Sequence, residues 1–145
     1  MVTISPARVA AAAVRNQPLD VVGVSALVTD DRAGATVTFT GVVRDHDHGR
    51  GVTGIEYVGH PSAAAVLAEV AGEFTGRDGV HAIAVEHRVG TLAVGDLALV
   101  ASVSASHRAQ AFGVCSDLVD RIKERLPIWK RQLFTDGTAE WSNCP

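Results

Sequence analysis

The sequence predicts an α+β domain, and three stretches carry that prediction. From Ala35 to Arg44 the residues alternate, Val37, Phe39, Gly41 and Val43 toward one side and Thr36, Thr38, Thr40 and Arg44 toward the other, which is the period of a half-buried strand. Phe112, Cys115, Val119, Ile122 and Leu126 recur at steps of three and four, the spacing of one buried stripe on an α-helix. Val80 to Val89 and Leu97 to Ala105 are apolar runs joined by a short Gly90 to Gly95 connection, as in an antiparallel pair. Helices mixed with hairpin-joined strands, without a regular strand-helix-strand alternation, indicate α+β architecture. The 145 residues fit one domain spanning 1–145, and a domain of that size buries roughly 68–70% of its unfolded surface, enough for a core without staples.

The elements follow in order. The opening MVTISPARVAAAAVRNQ has an apolar run broken by arginine, too short for a signal segment or a membrane span. Within it Arg8 to Val14 suits either a weak Ala-rich helix or a strand. Asp20 is placed to cap a short helix from Val21 to about Val28, with Val21, Val24, Leu27 and Val28 on one face. After the strand that ends in Arg44, DHDHGRG reads as a polar loop before the next strand, Val52 to Val58. Asp45, His46, Asp47 and His48 are competent metal ligands, but a turn-forming surface loop accounts for them more simply, and no metal is expected there. Pro61 opens a helix whose inner stripe is Ala63, Leu67, Val70, Ala71 and Phe74. His87 and Arg88, at the end of a strand, are read as structural.

The long helix has the chemistry at its ends. Ser106 is a plausible N-cap, which puts His107 and Arg108 in the first turn, where unpaired backbone N–H groups already form a positive pole. Cations are disfavoured there by roughly 0.3–1 kcal/mol, yet arginine, histidine and bare N–H groups together suit an anion. Lys123 lies in the last turn, Pro127 stops the helix, and Ile128, Trp129 and Lys130 begin an extended segment. Lysine in a last helical turn is ordinarily just solvated. Alternation after Pro127 sends Lys130 and Ile128 to one side and Trp129 to the other, so a second ammonium can approach the first.

Composition limits the partners. Thirteen Lys and Arg against sixteen Asp and Glu leave a formal charge of −3, and aromatic residues are 5% of the chain. Both facts argue against a nucleic-acid face. Cys115 and Cys144 form no metal spacing, and that usage suits a reducing cytosol.

SASHRAQAF followed by a helix and then IKERLPIWK resembles the large, catalytic subunit of molybdopterin synthase. GATVTFTGVVR matches that family's strand ending in Val-Arg, HRVGTLAVGD its hairpin, and Asp136, Gly137 and Trp141 its closing motif. The resemblance implies an α/β-hammerhead-like fold with mixed and antiparallel sheets and packed helices, and a strand rather than a helix before Pro18. It implies a homodimer within a heterotetramer, each large subunit holding a small ubiquitin-like sulfur-carrier subunit that ends in a Gly-Gly thiocarboxylate. The implied reaction moves that sulfur to cyclic pyranopterin monophosphate, two such transfers giving the dithiolene of molybdopterin in molybdenum cofactor biosynthesis, in the cytoplasm and with no further cofactor. Arg44, His107, Arg108, Lys123 and Lys130 become the expected substrate-binding residues, with Lys123 and Lys130 catalytic. The family's corresponding polar loop, mobile until a partner or substrate arrives, needs no metal. A noncatalytic domain that binds the small subunit without chemistry is the competing expectation.

Overall fold

A computed structural model describes residues 6–143, so Cys144 lies outside the described residues. The chain runs β1 (Arg8–Arg15), α1 (Val21–Ala26), β2 (Ala35–Val42), β3 (His46–Asp47), β4 (Arg50–Gly59), α2 (Ala63–Gly72), β5 (Val80–Arg88), β6 (Gly90–Ala93), β7 (Leu97–Ala105), α3 (Arg108–Arg125), β8 (Ile128–Phe134) and β9 (Ala139–Asn143). These form two sheets. The first has the order β1-β5-β7-β2, with β1 parallel to β5 and the other pairs antiparallel. The second is antiparallel, ordered β3-β4-β8-β9, with β6 also pairing to β4. The α+β prediction holds, and Arg8–Arg15 is a strand.

The main core lies where α2, α3 and both sheets meet. Leu67 and Val70 of α2, Ile83 and Val85 of β5, Leu118 and Ile122 of α3, Leu92 of β6 and Ile128 of β8 are buried together. A smaller cluster of Val24 and Val28 covers Ala82, Ala84 and Val100 on the opposite face of the first sheet. Small side chains on the sheet let that short helix approach closely. Asp20 caps α1 as expected, its Oδ1 accepting from Gly23 N at 3.0 Å. Leu27, expected on the inner face, is exposed because the helix ends at Ala26 and the chain turns away.

Cys115, Val119, Ile122 and Leu126 of the expected α3 stripe are buried, and Phe112 is not. Ala111, Val114, Cys115, Leu118, Val119 and Ile122 are buried, whereas Phe112 is 63% exposed. Successive residues point about 100° apart around a helix, so with Ala111 on the buried face Phe112 falls outside it. The N-cap is His107 and not Ser106. The Ser106 hydroxyl is shared with His81 Nε2 at 2.8 Å, and its backbone N–H still donates to Gly79 O. Gln110 Oε1 accepts from the His107 N–H at 3.1 Å and so closes the first turn. Toward its C-terminus, Arg121 meets Glu73 at 3.0 Å and Arg125 meets Glu69 at 3.3 Å, tying α3 to the α2 end.

The DHDH segment is a hairpin rather than a loop. His46 pairs with Gly51 and Asp47 with Arg50, leaving His48 and Gly49 as a two-residue turn with φ of 48° and 78°. Positive φ at both central positions is what the right-handed twist of a tight hairpin demands. The Gly90–Gly95 connection likewise contains β6, which crosses to the second sheet and pairs Leu92 with Ile55. None of the helices among the described residues is long and apolar enough to cross a membrane.

Candidate functional site

Three of the five expected site residues meet in one cavity of about 320 Å³. Arg44 arrives just after β2, Lys123 from the last turns of α3, and Lys130 from β8. Pro127 makes this convergence possible: the helix ends, Leu126 adopts an extended backbone, and β8 returns along β4 with Lys130 opposite Tyr57 and Gln132 opposite Ile55. Ile128, Gln132 and Phe134 are buried and Lys130 half-buried on the inward side of β8, while Trp129 faces out, as the alternation predicts.

The β3–β4 hairpin forms one wall. Arg44 Nη2 donates to Asp47 Oδ1 at 3.1 Å, which orients the guanidinium. The Asp47 carboxyl is held below the ordinary carboxylate range, chiefly by a hydrogen bond from the Gln132 amide and further by His48 and Arg44. His46 Nδ1 and Asp45 Oδ1 lie 2.8 Å apart, and His48 Nε2 is 3.7 Å from Asp47. The hairpin histidines therefore engage neighbouring carboxylates in pairs, and among the described residues no group of three or more His, Cys, Asp or Glu is arranged to hold a metal.

His87 lines the same cavity, a placement the sequence reading did not foresee. The strand-end pair divides its work: Arg88 reaches Asp96 at 3.5 Å, while His87 turns inward against Tyr57. Inward or outward is decided by strand parity, and Glu86 takes the opposite face, where Arg15 Nε meets it at 2.9 Å. Burial pushes the His87 imidazole down to about 4 from its ordinary 6.5, with a hydrogen bond to the Arg88 backbone opposing the shift. Between those values the unfolded chain binds a proton that the folded chain refuses, so this group favours folding at neutral pH and the advantage shrinks as pH falls. The unfolding free-energy difference between wild type and His87→Phe should accordingly shift against wild type by about 1 kcal/mol per pH unit over that window. Urea titrations at several pH values measure it, and parallel stability curves for the two proteins would contradict it.

His107 and Arg108 do not join this cavity within one chain. Both are exposed at the N-terminus of α3, about 22 Å along the helix axis from Lys123 at 1.5 Å per residue. Between the two ends runs a groove of about 430 Å³ walled by Val37 and Phe39 of β2 and by Phe112, Cys115, Val119 and Lys123 of α3. Strand β2 is an edge of its sheet, and Phe112 projects into this groove. The geometry thus offers a donor-rich pocket at one end of α3, a cationic helix start at the other, and an unfilled apolar groove between.

Residues 14–125 match the family model described as MoaE protein. The chain is 39% identical over 128 residues to molybdopterin synthase catalytic subunit 1 of Mycobacterium tuberculosis, covering 87% of this chain and 86% of that one. It is 31% identical to the molybdopterin synthase catalytic subunit of a Nostoc species, over 97% of this chain and 87% of the relative. Among solved structures, molybdopterin synthase from Staphylococcus aureus superposes with a TM-score of 0.82 at 30% identity, covering 90% of this chain and 95% of that one.

Proposed function

This chain belongs to the MoaE protein family, and from that premise we propose that it is the catalytic subunit of a molybdopterin synthase, transferring sulfur from the C-terminal thiocarboxylate of a small ubiquitin-like subunit to cyclic pyranopterin monophosphate. The single observation that carries the chemistry is the convergence of Arg44, Lys123 and Lys130 on one cavity. Attack by a thiocarboxylate sulfur on the precursor joins two anions, forms a carbon–sulfur bond as a carbon–oxygen bond of the precursor breaks, and leaves an acyl–sulfur bond that water then hydrolyses, freeing the tail as a carboxylate. Fixed cations offset the repulsion in the first step and stabilise the oxyanion that develops at the acyl carbon in the second. Lys123 is assigned to the acyl carbon and Lys130 to the precursor. Lys123 is exposed in the single chain, open to the incoming Gly-Gly tail.

The remaining two site residues fit a homodimer. If two copies pack groove to groove about a two-fold axis, an isologous contact makes α3 run antiparallel to its mate. With the axis near Cys115 and Ser116, midway between Arg108 and Lys123 in the sequence, His107 and Arg108 of each copy approach the other copy's Lys123. Phe112 and the β2 edge supply apolar surface and unpaired backbone for such a contact. Arg44 from one chain and His107 and Arg108 from its mate then form the clamp for the precursor's phosphate, a bidentate task suited to guanidinium groups.

Arg44→Ala and Arg108→Ala should each weaken precursor binding by about 10- to 100-fold, the range for losing a charged hydrogen bond, with the fold intact. Titration calorimetry with cyclic pyranopterin monophosphate measures this. Unchanged affinity in both variants would remove the clamp.

A further inference from the structure

The cations of the pocket hold anions, and they leave open what receives the hydrogen-bond donors of a bound heterocycle. The His87 side chain answers this. It is 1% exposed, on the wall of the cavity that Arg44, Lys123 and Lys130 share. Its Nδ1 lies 2.7 Å from the Arg88 carbonyl oxygen. A carbonyl only accepts, so Nδ1 carries the proton, and in the neutral ring Nε2 is left as a bare acceptor. Nε2 has no partner among the described residues. Among the described residues, the sealed, unpartnered polar side-chain atoms are Arg88 Nε, Ser104 Oγ and Ser142 Oγ. His87 Nε2 is not one of them, so it opens on the cavity that the ring lines. The Tyr57 ring meets the imidazole at 79° with centroids 5.1 Å apart and fixes its plane.

The neighbouring acids leave this acceptor alone. Glu86 is on the other face of the sheet with Arg15. Asp47, the carboxylate in the cavity wall, is engaged by Arg44, His48 and Gln132. Cations, by contrast, only donate.

We propose that His87 is a further substrate-binding residue, whose unprotonated Nε2 accepts a hydrogen bond from a ring N–H or amine donor of the heterocycle bound in this pocket. The inference rests on the reading of the cavity as the precursor site and assigns the pterin end of that substrate to the His87 wall, with its phosphate toward the arginines. Position 87 therefore discriminates for a donor-bearing ring, because a buried acceptor left unmatched costs binding.

Side-chain length allows a direct test. Asparagine at position 87 places an amide near Nδ1, where it still donates to the Arg88 carbonyl, and has no atom at the Nε2 position. Glutamine reaches the Nε2 position with its amide oxygen. His87→Asn in complex with the small subunit should bind cyclic pyranopterin monophosphate about 10-fold more weakly, with small-subunit affinity and thermal midpoint close to wild type, and His87→Gln should recover part of the loss. In the wild-type complex, nitrogen NMR should show Nε2 unprotonated and its resonance moving as the precursor saturates. Wild-type precursor affinity in folded His87→Asn, or an Nε2 resonance that stays fixed at saturation, overturns the assignment; the NMR arm decides alone if the Asn variant does not fold. Failure of the wild-type complex to bind the precursor at all would be a different result, sinking the pocket reading and this inference with it.

Discussion

Lys123→Ala is expected to lower single-turnover sulfur transfer by about 10²- to 10³-fold, the usual effect of removing one group that stabilises a developing oxyanion, while the small subunit still binds. Lys123 sits at the rim of the buried stripe, next to fully buried Ile122, so its stem can lie along apolar surface and carry the ammonium into the cavity. The loss should fall on the chemical step, because the surface that holds a protein partner is far larger than one ammonium. Lys123→Arg separates charge from proton transfer: a guanidinium keeps the charge and does not release a proton near neutral pH. Poor rescue by arginine is the expected result, and full rescue would reduce the role of Lys123 to charge. Turnover at the wild-type rate in Lys123→Ala would remove this lysine from the mechanism.

Mixing Lys123→Ala with Arg108→Ala should restore activity, at precursor concentrations too low to fill the weakened Arg108→Ala pocket. In a dimer whose pockets each take Lys123 from one copy and Arg108 from the other, a mixed dimer of Lys123→Ala and Arg108→Ala carries both lesions in one pocket and none in the second. Random exchange makes about half of the dimers mixed, so about a quarter of the pockets should be native, against almost none in either variant alone. If Arg108 instead served its own chain's pocket, every pocket of the mixed dimer would carry one lesion, and no activity would return. The assay is turnover after the two purified variants are unfolded and refolded together, beside each refolded alone.

Much of this arrangement was legible in the sequence because it is written in short-range pattern. The period-two run into Arg44, the apolar rows of α3, the stop at Pro127 and the alternation that turns Lys130 inward all survive in the structure. What escaped depends on contacts between distant residues. Strand β6 is four residues long and takes its register from β4, so nothing in its own composition marks it as sheet. The hairpin turn uses His48 at a positive φ, where the familiar signals are Asn or Asp before Gly. His87 looked structural because a strand end shows no hint of which face borders a cavity. An aromatic outweighs an alanine in any periodicity count, which puts Phe112 on the predicted buried stripe, although Ala111 is the residue that is buried. The distance between His107 and Lys123 is implicit in the helix length, and it is why the proposed clamp draws His107 and Arg108 from a second copy.

The most direct test of the central claim is reconstitution. The wild-type chain, the small subunit carrying a preformed C-terminal thiocarboxylate, and cyclic pyranopterin monophosphate are combined, and molybdopterin formation is followed alongside complex formation. The account predicts conversion of the precursor to the dithiolene with consumption of the thiocarboxylate. A stable complex of the two proteins that leaves precursor and thiocarboxylate unchanged would contradict it, and would make this chain a binding domain without chemistry.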